Sequence, residues 1–230
     1  MLDVRTTRSA SPARDTTAAC EGFFVEIVDP RIQEYVERFS SPHDPLLAEL
    51  ADETQRTLSS PGMLTGPIAG RLLELLVWFG QPRRVLEIGT YSGHSALAMA
   101  AALPSDGRID TCEVDPVHAE VAQRYFDRSP WGDRITLHLG PALETIGRLE
   151  GEFDFVFIDA DKEGYVDYYE AVFPRLAPRG LIAADNTLGR GAVFDGEGPI
   201  AHFNEHVRND PRALCVILSV RDGVTLIRRR

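Results

Sequence analysis

Short apolar strands alternate with helical segments through most of this sequence, and this alternation restricts the fold more than any other feature. Five strand-like runs follow one another from residue 84 and read RVLEIG, RIDTCEV, RITLHLG, FDFVFIDA and GLIAAD. Because parallel strands need long crossover connections, strands separated by helices predict a parallel sheet with helices on both faces.

Two further apolar runs, ALCVILSV and GVTLIRR, end the chain and are joined by Arg221-Asp222-Gly223. Asp-Gly favours a tight turn, so these runs are predicted to form a hairpin with one strand antiparallel to the rest of the sheet. We therefore predict a doubly wound α/β fold with a mostly parallel, seven-stranded sheet. A C-terminal antiparallel hairpin and an N-terminal helical extension complete this prediction.

Three segments are expected along the chain. Residues 1–22 have no apolar stretch of the kind that a secretory signal needs, and they are predicted to be a disordered tail. Residues 23–80 are predicted to be helices packed on the core, two of which begin where Asp29 and Asp44 each precede a proline. Residues 81–230 are predicted to form the ligand-binding core.

Net charge, apolar runs and cysteine content indicate which partners and which cellular compartment this protein is expected to have. The formal net charge of −11 argues against a sequence-independent grip on nucleic acid. No apolar run was expected to approach the roughly 18–20 residues of a membrane helix, so no membrane partner is predicted. The three cysteines, Cys20, Cys112 and Cys215, show no paired spacing, which favours a reducing cytoplasm.

Ligands of doubly wound sheets bind where strands end near the reversal of strand order. The first strand ends in a turn from Gly89 to Gly93, which lets the backbone approach a ligand closely but lacks the G-x-G-x-x-G spacing of dinucleotide sites. The second ends at Glu113, a carboxylate suited to the two ribose hydroxyls of an adenosine cofactor. With residues 140–142 beside the adenine, these strand ends favour S-adenosylmethionine over NAD. Ordinary turn glycines and a solvated strand-end acid remain the alternative.

Oxygen-bearing side chains follow the fourth and fifth strands. Asp159 ends the run FDFVFID, and Asp185-Asn186 ends the run LIAADN. Because neighbouring strand ends meet at one edge of the sheet, two carboxylates and an amide are expected to lie together there. Such hard ligands suit Mg²⁺ best, with Ca²⁺ or Mn²⁺ as alternatives. The competing interpretation is that these residues only cap helices.

Five motifs occur in order along the chain: MLTGP at 63–67, EIGTYSGHS at 87–95, GPA at 140–142, FIDADKEGY at 157–165 and DNTL at 185–188. Through these motifs the chain resembles a known family, the cation-dependent class I S-adenosylmethionine O-methyltransferases. It is similar to caffeoyl-CoA O-methyltransferase and related to catechol O-methyltransferase. The catechol enzymes carry His-Trp in place of Ala160-Asp161, so this chain looks nearer to the caffeoyl-CoA branch.

The resemblance implies roles for individual residues and a homodimer. The metal ligands would be Asp159, Asp185 and Asn186, and Lys162 matches the position of a catalytic base. Thr65 and Asp161 would lie near the sulfonium end of the cofactor. The full set of implied cofactor contacts is Thr65, Glu87, Gly89, Thr90, Tyr91, Ser95, Glu113, Ala142, Asp159 and Asp161.

The expected reaction is metal-assisted O-methylation of a small aromatic acceptor with two neighbouring hydroxyls. A divalent cation holding both hydroxyls lowers the pKa of the attacking one and orients it. Lys162 can take the proton as a base or stabilise the oxyanion as an ammonium. The alternative function is metal-independent methylation of a small molecule by the same fold; a nicotinamide dehydrogenase and a non-catalytic binding module are less favoured.

The residues after DNTL differ from those usual in the family, and we expect them to determine which acceptor binds. Gly189 and Arg190 replace the tryptophan and asparagine that are usual in the plant enzymes and lead into GAVFDGEG, a glycine-rich stretch predicted to be a mobile loop over the pocket. We hypothesise that Arg190 pairs with a carboxylate of the acceptor; a plain surface arginine is the alternative.

Overall fold

The structure is a computed structural model that describes residues 27–230 of the chain. The tail predicted for residues 1–22 lies outside the described residues. Eight α-helices occur in the described part: α1 Pro30–Phe39, α2 Pro45–Thr57, α3 Gly66–Gly80, α4 His94–Ala102, α5 Pro116–Arg128, α6 Ala142–Arg148, α7 Tyr165–Val172 and α8 Gly198–Asn209. The seven described strands are β1 Arg84–Ile88, β2 Arg108–Glu113, β3 Ile135–Leu139, β4 Phe153–Ile158, β5 Leu176–Asp185, β6 Ala213–Leu218 and β7 Val224–Arg229.

All seven strands form one sheet in the order β3-β2-β1-β4-β5-β7-β6. The first five strands of the chain are parallel, and β7 is antiparallel to both β5 and β6. The predicted fold class and the C-terminal hairpin are therefore confirmed. Strand order reverses between β1 and β4, which places the ligand-binding crevice at their carboxyl ends.

Three helices begin at an Asp-Pro pair. The carboxylates of Asp29, Asp44 and Asp115 each accept a hydrogen bond from the backbone amide two residues later, at 2.8–2.9 Å. Proline at the first helical position costs no hydrogen bond, and each such cap contributes about 1 kcal/mol to the helix. The predicted caps at α1 and α2 are confirmed, and Asp115 caps α5 in the same way.

The sheet is covered on both faces. One face packs against α6, α7 and α8 around side chains such as Phe153, Tyr169 and Phe203. The other packs against α3 and α4 through Leu73 and Val77. Helix α2 extends this second layer, since its Leu50 packs with residues of α4 and α5. The N-terminal helices α2 and α3 thus belong to one of the two layers that cover the sheet.

One helical stretch of the described residues, Pro61–Gly80, is long and apolar enough by composition to cross a membrane. The expectation that no segment approaches that length was wrong for this stretch. It consists of a 3₁₀ turn, Pro61–Met63, followed by α3. The central helices of folded domains satisfy the same criterion, and α3 buries Ala69, Leu73 and Val77 in the fold.

Candidate active site

A cavity of about 550 Å³ lies at the carboxyl ends of β1, β4 and β5. Six stretches of chain from distant parts of the sequence form its wall. They contribute Ser60, Gly62, Met63, Leu64, Thr65, Gly89, Thr90, Tyr91, Ser92, His94, Ser95, Asp159, Ala160, Lys162, Asp185, Asn186, Gly189, Arg190, Ile200, Arg221 and Asp222. The cavity occupies the crevice that the sheet topology favours for a ligand.

The sequence-predicted residues divide into those on this wall and those behind it. The cofactor residues on the wall are Thr65, Gly89, Thr90, Tyr91, Ser95 and Asp159. Outside the wall are Glu87, Glu113, Ala142 and Asp161. The proposed metal ligands Asp159, Asp185 and Asn186 all line the cavity, together with Lys162 and Arg190.

Gly89 ends β1 at a point where no side chain fits. Its φ is +99°, and a Cβ built there would stand 2.0 Å from the carbonyl oxygen of Asp159. The amide of Asp159 in turn donates to the carbonyl of Ile88 at 2.8 Å. The glycine predicted from the sequence as a close-approach residue therefore brings the ends of β1 and β4 together.

Glu87 lies directly beneath this turn and is fully buried. Its Oε2 accepts a hydrogen bond from the hydroxyl of Thr111 at 2.5 Å, whereas its buried Oε1 has no partner among the described residues. Burial raises the pKa of Glu87 to about 8, and the charges of Asp159 and Glu113 add to that effect. Glu87 is thus held as a neutral acid over most of the physiological range.

Glu113 ends β2, and its carboxylate accepts only backbone donors in the described structure. Oε2 accepts from the amide of Tyr91 at 2.6 Å, and Oε1 accepts from the amides of Val114 and Asp115, each at 2.9 Å. These bonds tie the end of β2 to the glycine turn after β1. Both carboxylate oxygens of Glu113 have further lone pairs and can still accept hydrogen bonds from ribose hydroxyls.

Asp161, expected beside the sulfonium end of the cofactor, lies outside the cavity wall. Its carboxylate accepts from the amide of Gly164 at 3.0 Å and from the hydroxyl of Tyr168 at 2.5 Å. The side chain therefore caps the 3₁₀ turn Lys162–Gly164 on the outer side of the loop. Thr65, predicted for the same end of the cofactor, lies on the cavity wall.

The three predicted metal ligands form an oxygen cluster on the cavity floor. Oδ1 of Asp159 and Oδ1 of Asn186 lie 3.1 and 2.8 Å from the Nζ of Lys162, so both oxygens point at one position. Asp185 lies beside them, is 1 % exposed, and accepts from the amide of Asn186 at 2.8 Å. Burial raises the pKa of Asp185 well above its ordinary value, and the neighbouring charge of Asp159 contributes.

This donor set fits a hard divalent cation. A buried carboxylate that resists ionisation and two oxygens converging on a positive charge are the features that a bound cation would stabilise. The described residues contain no cluster of three or more His, Cys, Asp or Glu side chains placed to hold a metal. The set proposed here has two carboxylates and an amide, with room in the cavity for water or acceptor oxygens.

Lys162 is fixed by three oxygen partners. Besides Asp159 and Asn186, its Nζ donates to the hydroxyl of Tyr165 at 2.6 Å. Tyr165 is fully buried and donates to the carbonyl of Asp185 at 3.0 Å. Sequence reasoning gave Tyr165 no role, although its spacing of three residues from Lys162 would have allowed the two side chains to meet on one helical turn.

The stretch after DNTL, predicted to be a mobile loop, contains a short 3₁₀ helix. Residues Gly189–Asp195 form a 3₁₀ helix with a kink at Arg190, where φ is +50°. The backbone amide of Arg190 donates to Oδ1 of Asp222 at 2.5 Å, which ties this segment to the turn between β6 and β7. The side chain of Arg190 extends toward Gly62 across the cavity.

Comparison with known proteins identifies the family of this chain. The sequence profile of the O-methyltransferase family matches residues 37–230. The chain belongs to the O-methyltransferase family. Its relatives include a caffeoyl-CoA O-methyltransferase of Petroselinum crispum, 34% identical over 185 residues that span 73% of this chain and 77% of the relative. A catechol O-methyltransferase of Niastella koreensis is 38% identical over 156 residues, which span 66% and 70% of the two chains.

Solved O-methyltransferase structures share the fold. The SAH-bound methyltransferase PaMTH1 of Podospora anserina superposes with a TM-score of 0.82 at 30% identity, covering 87% of this chain and 94% of that one. The predicted family and Rossmann-like methyltransferase fold are confirmed. This protein is an S-adenosylmethionine-dependent O-methyltransferase of the caffeoyl-CoA and catechol type.

Proposed function

We propose that this O-methyltransferase binds a divalent cation through Asp159, Asp185 and Asn186 and methylates a small aromatic acceptor with two neighbouring hydroxyls. One observation carries the proposal: oxygens of Asp159 and Asn186 converge on the Lys162 ammonium, directly beside the buried Asp185. Oxygen ligands of this kind favour Mg²⁺, with Ca²⁺ and Mn²⁺ as the next candidates.

Methyl transfer is an in-line displacement. The acceptor oxygen forms a bond to the methyl carbon while the bond from that carbon to sulfur breaks, and S-adenosylhomocysteine leaves. A bound divalent cation supplies the Lewis acidity that lowers the pKa of the attacking hydroxyl. The glycine turn at Gly89 and the cluster at Asp159 share one cavity wall, so the chain can hold donor and acceptor side by side.

We further propose that Lys162, after losing a proton to become the neutral amine, accepts the proton of the attacking hydroxyl at its Nζ. Lys162 is the only lysine in the sequence; every other one of the 24 Lys or Arg positions carries arginine. Arginine does not lose its proton in proteins, whereas lysine can exchange one when it is partly desolvated. A single lysine, placed among the oxygens of the reaction site, supports proton transfer more than simple charge compensation.

Metal removal tests the main proposal. Enzyme stripped with EDTA is assayed with catechol, 3,4-dihydroxybenzoate and dihydroxyaryl thioesters, before and after Mg²⁺, Ca²⁺ or Mn²⁺ is restored. Activity should fall to background and return with the cation, and Asp185→Asn should weaken Mg²⁺ binding measured by calorimetry. Asp110→Asn is the matched control, because Asp110 bonds His138 at 2.7 Å away from the cavity. Full activity after exhaustive chelation would establish the metal-independent alternative.

Arg190 is proposed to pair with a carboxylate of the acceptor. Its guanidinium lies at the cavity wall, near Gly62. Arg190→Ala should raise the KM for 3,4-dihydroxybenzoate about 10- to 100-fold, the range of one charged hydrogen-bonded contact, and leave the KM for uncharged catechol unchanged. An equal change for both acceptors, or no change for either, would contradict this role.

A homodimer is proposed on the basis of an apolar face. This face comprises Tyr35 and Phe39 on α1 and Leu75, Trp78 and Phe79 on α3, all more than half exposed. Exposed apolar patches of this kind mark interaction sites more often than ordinary surface. Trp78→Glu should convert a dimer to a monomer in light scattering, whereas Val117→Glu, at an exposed position of α5, should not.

We also propose a cytoplasmic enzyme without nucleic-acid or membrane partners. The net charge of −11 supports the absence of nucleic-acid binding. Cys112 and Cys215 both remain free thiols in the described residues, which suits a reducing compartment. Fractionation and a filter-binding assay with DNA and RNA would test these proposals.

A further inference from the structure

Arg221 lies in the turn between β6 and β7 and reaches the main chain just ahead of α3. Its Nη2 donates to the carbonyl of Leu64 at 3.2 Å, and its Nη1 donates to the carbonyl of Thr65. A Cβ on Gly66 would stand 3.5 Å from Nη1, so the guanidinium packs directly over that glycine. These contacts join residues 156 and 157 positions apart in the sequence.

The backbone of Arg221 has an unusual conformation. Among the described residues, the non-glycine residues with positive φ are Gln81, Tyr91, Asn186, Arg190 and Arg221. Gln81 caps the end of α3, and the other four all line the cavity at the carboxyl ends of β1, β4 and β5. Strained backbone that gathers at one site indicates that the side chains there have a function. Arg221 has a φ of +51°, which glycine would adopt without strain.

The stretch that Arg221 contacts is held at its other end as well. Residues 60–66, here called the cover segment, contribute Ser60, Gly62, Met63, Leu64 and Thr65 to the cavity wall. The hydroxyl of Tyr91, in the glycine turn after β1, donates to the carbonyl of Ser60 at 3.0 Å. The cover segment is therefore fastened at one end by the cofactor turn and at the other by the C-terminal hairpin.

We propose that Arg221 is a positioning residue that latches the cover segment over the S-adenosylmethionine pocket. Its two hydrogen bonds hold Leu64 and Thr65 in place on the cavity wall. This inference rests on S-adenosylmethionine as the ligand of the cavity. It requires neither the proposed cation nor a dihydroxy acceptor, so it can fail or hold independently of those proposals.

Two variants of Arg221 separate the latch from simple destabilisation. Arg221→Met removes the donors and keeps most of the bulk, whereas Arg221→Gly removes the donors and also relieves the backbone strain. In both, amide hydrogen exchange in residues 62–66 should quicken about tenfold, and the Kd for S-adenosylmethionine should rise about tenfold, as expected for loss of hydrogen bonds from a charged donor. Amides of β1 and β4 should exchange as before. Arg221→Lys, which retains one charged donor group, should recover part of the affinity.

Arg175→Met is the matched control. Arg175 also clamps main-chain carbonyls, those of Ile146, Leu149 and Gly151, but it lies outside the cavity wall. This variant should lower Tm without changing the Kd for S-adenosylmethionine. Wild-type affinity and exchange in Arg221→Gly would overturn the proposal, and so would an equal loss of affinity in Arg175→Met.

Discussion

Gly89 faces the main-chain carbonyl of Asp159 so closely that a Cβ on Gly89 would stand 2.0 Å from that oxygen. The end of β1, which forms the cofactor turn, therefore fixes the end of β4, which carries a proposed metal ligand. Direct backbone contact couples the cofactor turn to this proposed metal ligand, since the Asp159 amide also donates a hydrogen bond to the Ile88 carbonyl at 2.8 Å. A change at the turn should consequently affect both halves of the site.

Replacing Gly89 by alanine tests this coupling. Backbone atoms cannot yield as a flexible side chain can, and φ at Gly89 is +99°, so Gly89→Ala should separate the two strand ends. We expect a loss of at least about 2–3 kcal/mol in the free energy of unfolding and loss of S-adenosylmethionine binding. Urea denaturation and calorimetry measure the two effects.

The control for this prediction is Gly147→Ala in α6. A Cβ at Gly147 would meet nothing within 4 Å, so this helical glycine can accept alanine. The substitution should raise stability by about 0.5–1 kcal/mol and leave cofactor binding unchanged. Wild-type stability of Gly89→Ala would show that the strand ends can separate at little cost.

Local signals explain how much of this protein could be predicted from the sequence. Asp-Pro pairs such as Asp115-Pro116 mark helix starts because the cap and the first helical residue are neighbours in the chain. Strand-end residues such as Asp159 and Asp185 could be placed together because parallel strands end at one edge. In both cases the relevant geometry follows from secondary structure alone.

Contacts between distant segments were the part that sequence reasoning missed. Arg221 binds the Leu64 carbonyl across 157 positions, and no periodicity or motif encodes that pairing. Tyr165 stood within a recognised motif, yet its bond to the Asp185 carbonyl depends on how α7 packs beneath β5. A local contact was missed as well, since bonds from Gly164 and Tyr168 hold the Asp161 carboxylate outside the cavity wall.

The buried acid Glu87 predicts an alkaline loss of stability. Its folded-state pKa of about 8 lies above the ordinary value of 4.5, so the folded protein keeps a proton that the unfolded chain has released. This contribution is complete below the unfolded pKa and is lost as the pH rises through the folded one. Tm should therefore fall between about pH 5 and pH 9, and Glu87→Gln should make that fall shallower.

A residual slope should persist in Glu87→Gln, because burial also raises the pKa of Asp185, which acts with the same sign. Glu53→Gln is the control of opposite sign. Hydrogen bonds from Arg124 and Tyr125 lower the pKa of Glu53, so its contribution is present at neutral pH and is lost on acidification. An alkaline slope identical in wild type and Glu87→Gln would refute the assignment to Glu87.

Tyr165→Phe should impair catalysis through Lys162. The phenol bridges the Lys162 Nζ at 2.6 Å and the Asp185 carbonyl at 3.0 Å, so its removal frees the ammonium and leaves a buried carbonyl without that donor. We expect a stability loss of about 1–3 kcal/mol and a fall in kcat of about tenfold, with an unchanged Kd for S-adenosylmethionine. Tyr169→Phe loses a comparable buried bond, to Asp210 at 2.7 Å, and should reduce stability alone.

Lys162→Arg discriminates between the two roles of the only lysine. Arginine keeps the positive charge beside Asp159 and Asn186 but cannot release a proton. If Lys162 is the base, kcat should fall about 10²- to 10⁴-fold while S-adenosylmethionine binds as before, and raising the pH should restore activity because the acceptor then ionises in solution. If the ammonium acts only as a charge, the kcat of Lys162→Arg should stay within about tenfold of wild type, and Lys162→Met should lose more activity.

Reductive methylation with ¹³C-formaldehyde provides an independent test of the base, because this single lysine and the chain terminus are the only groups that it labels. A dimethyl-lysine resonance that stays in its protonated position across the pH range of activity would exclude the base.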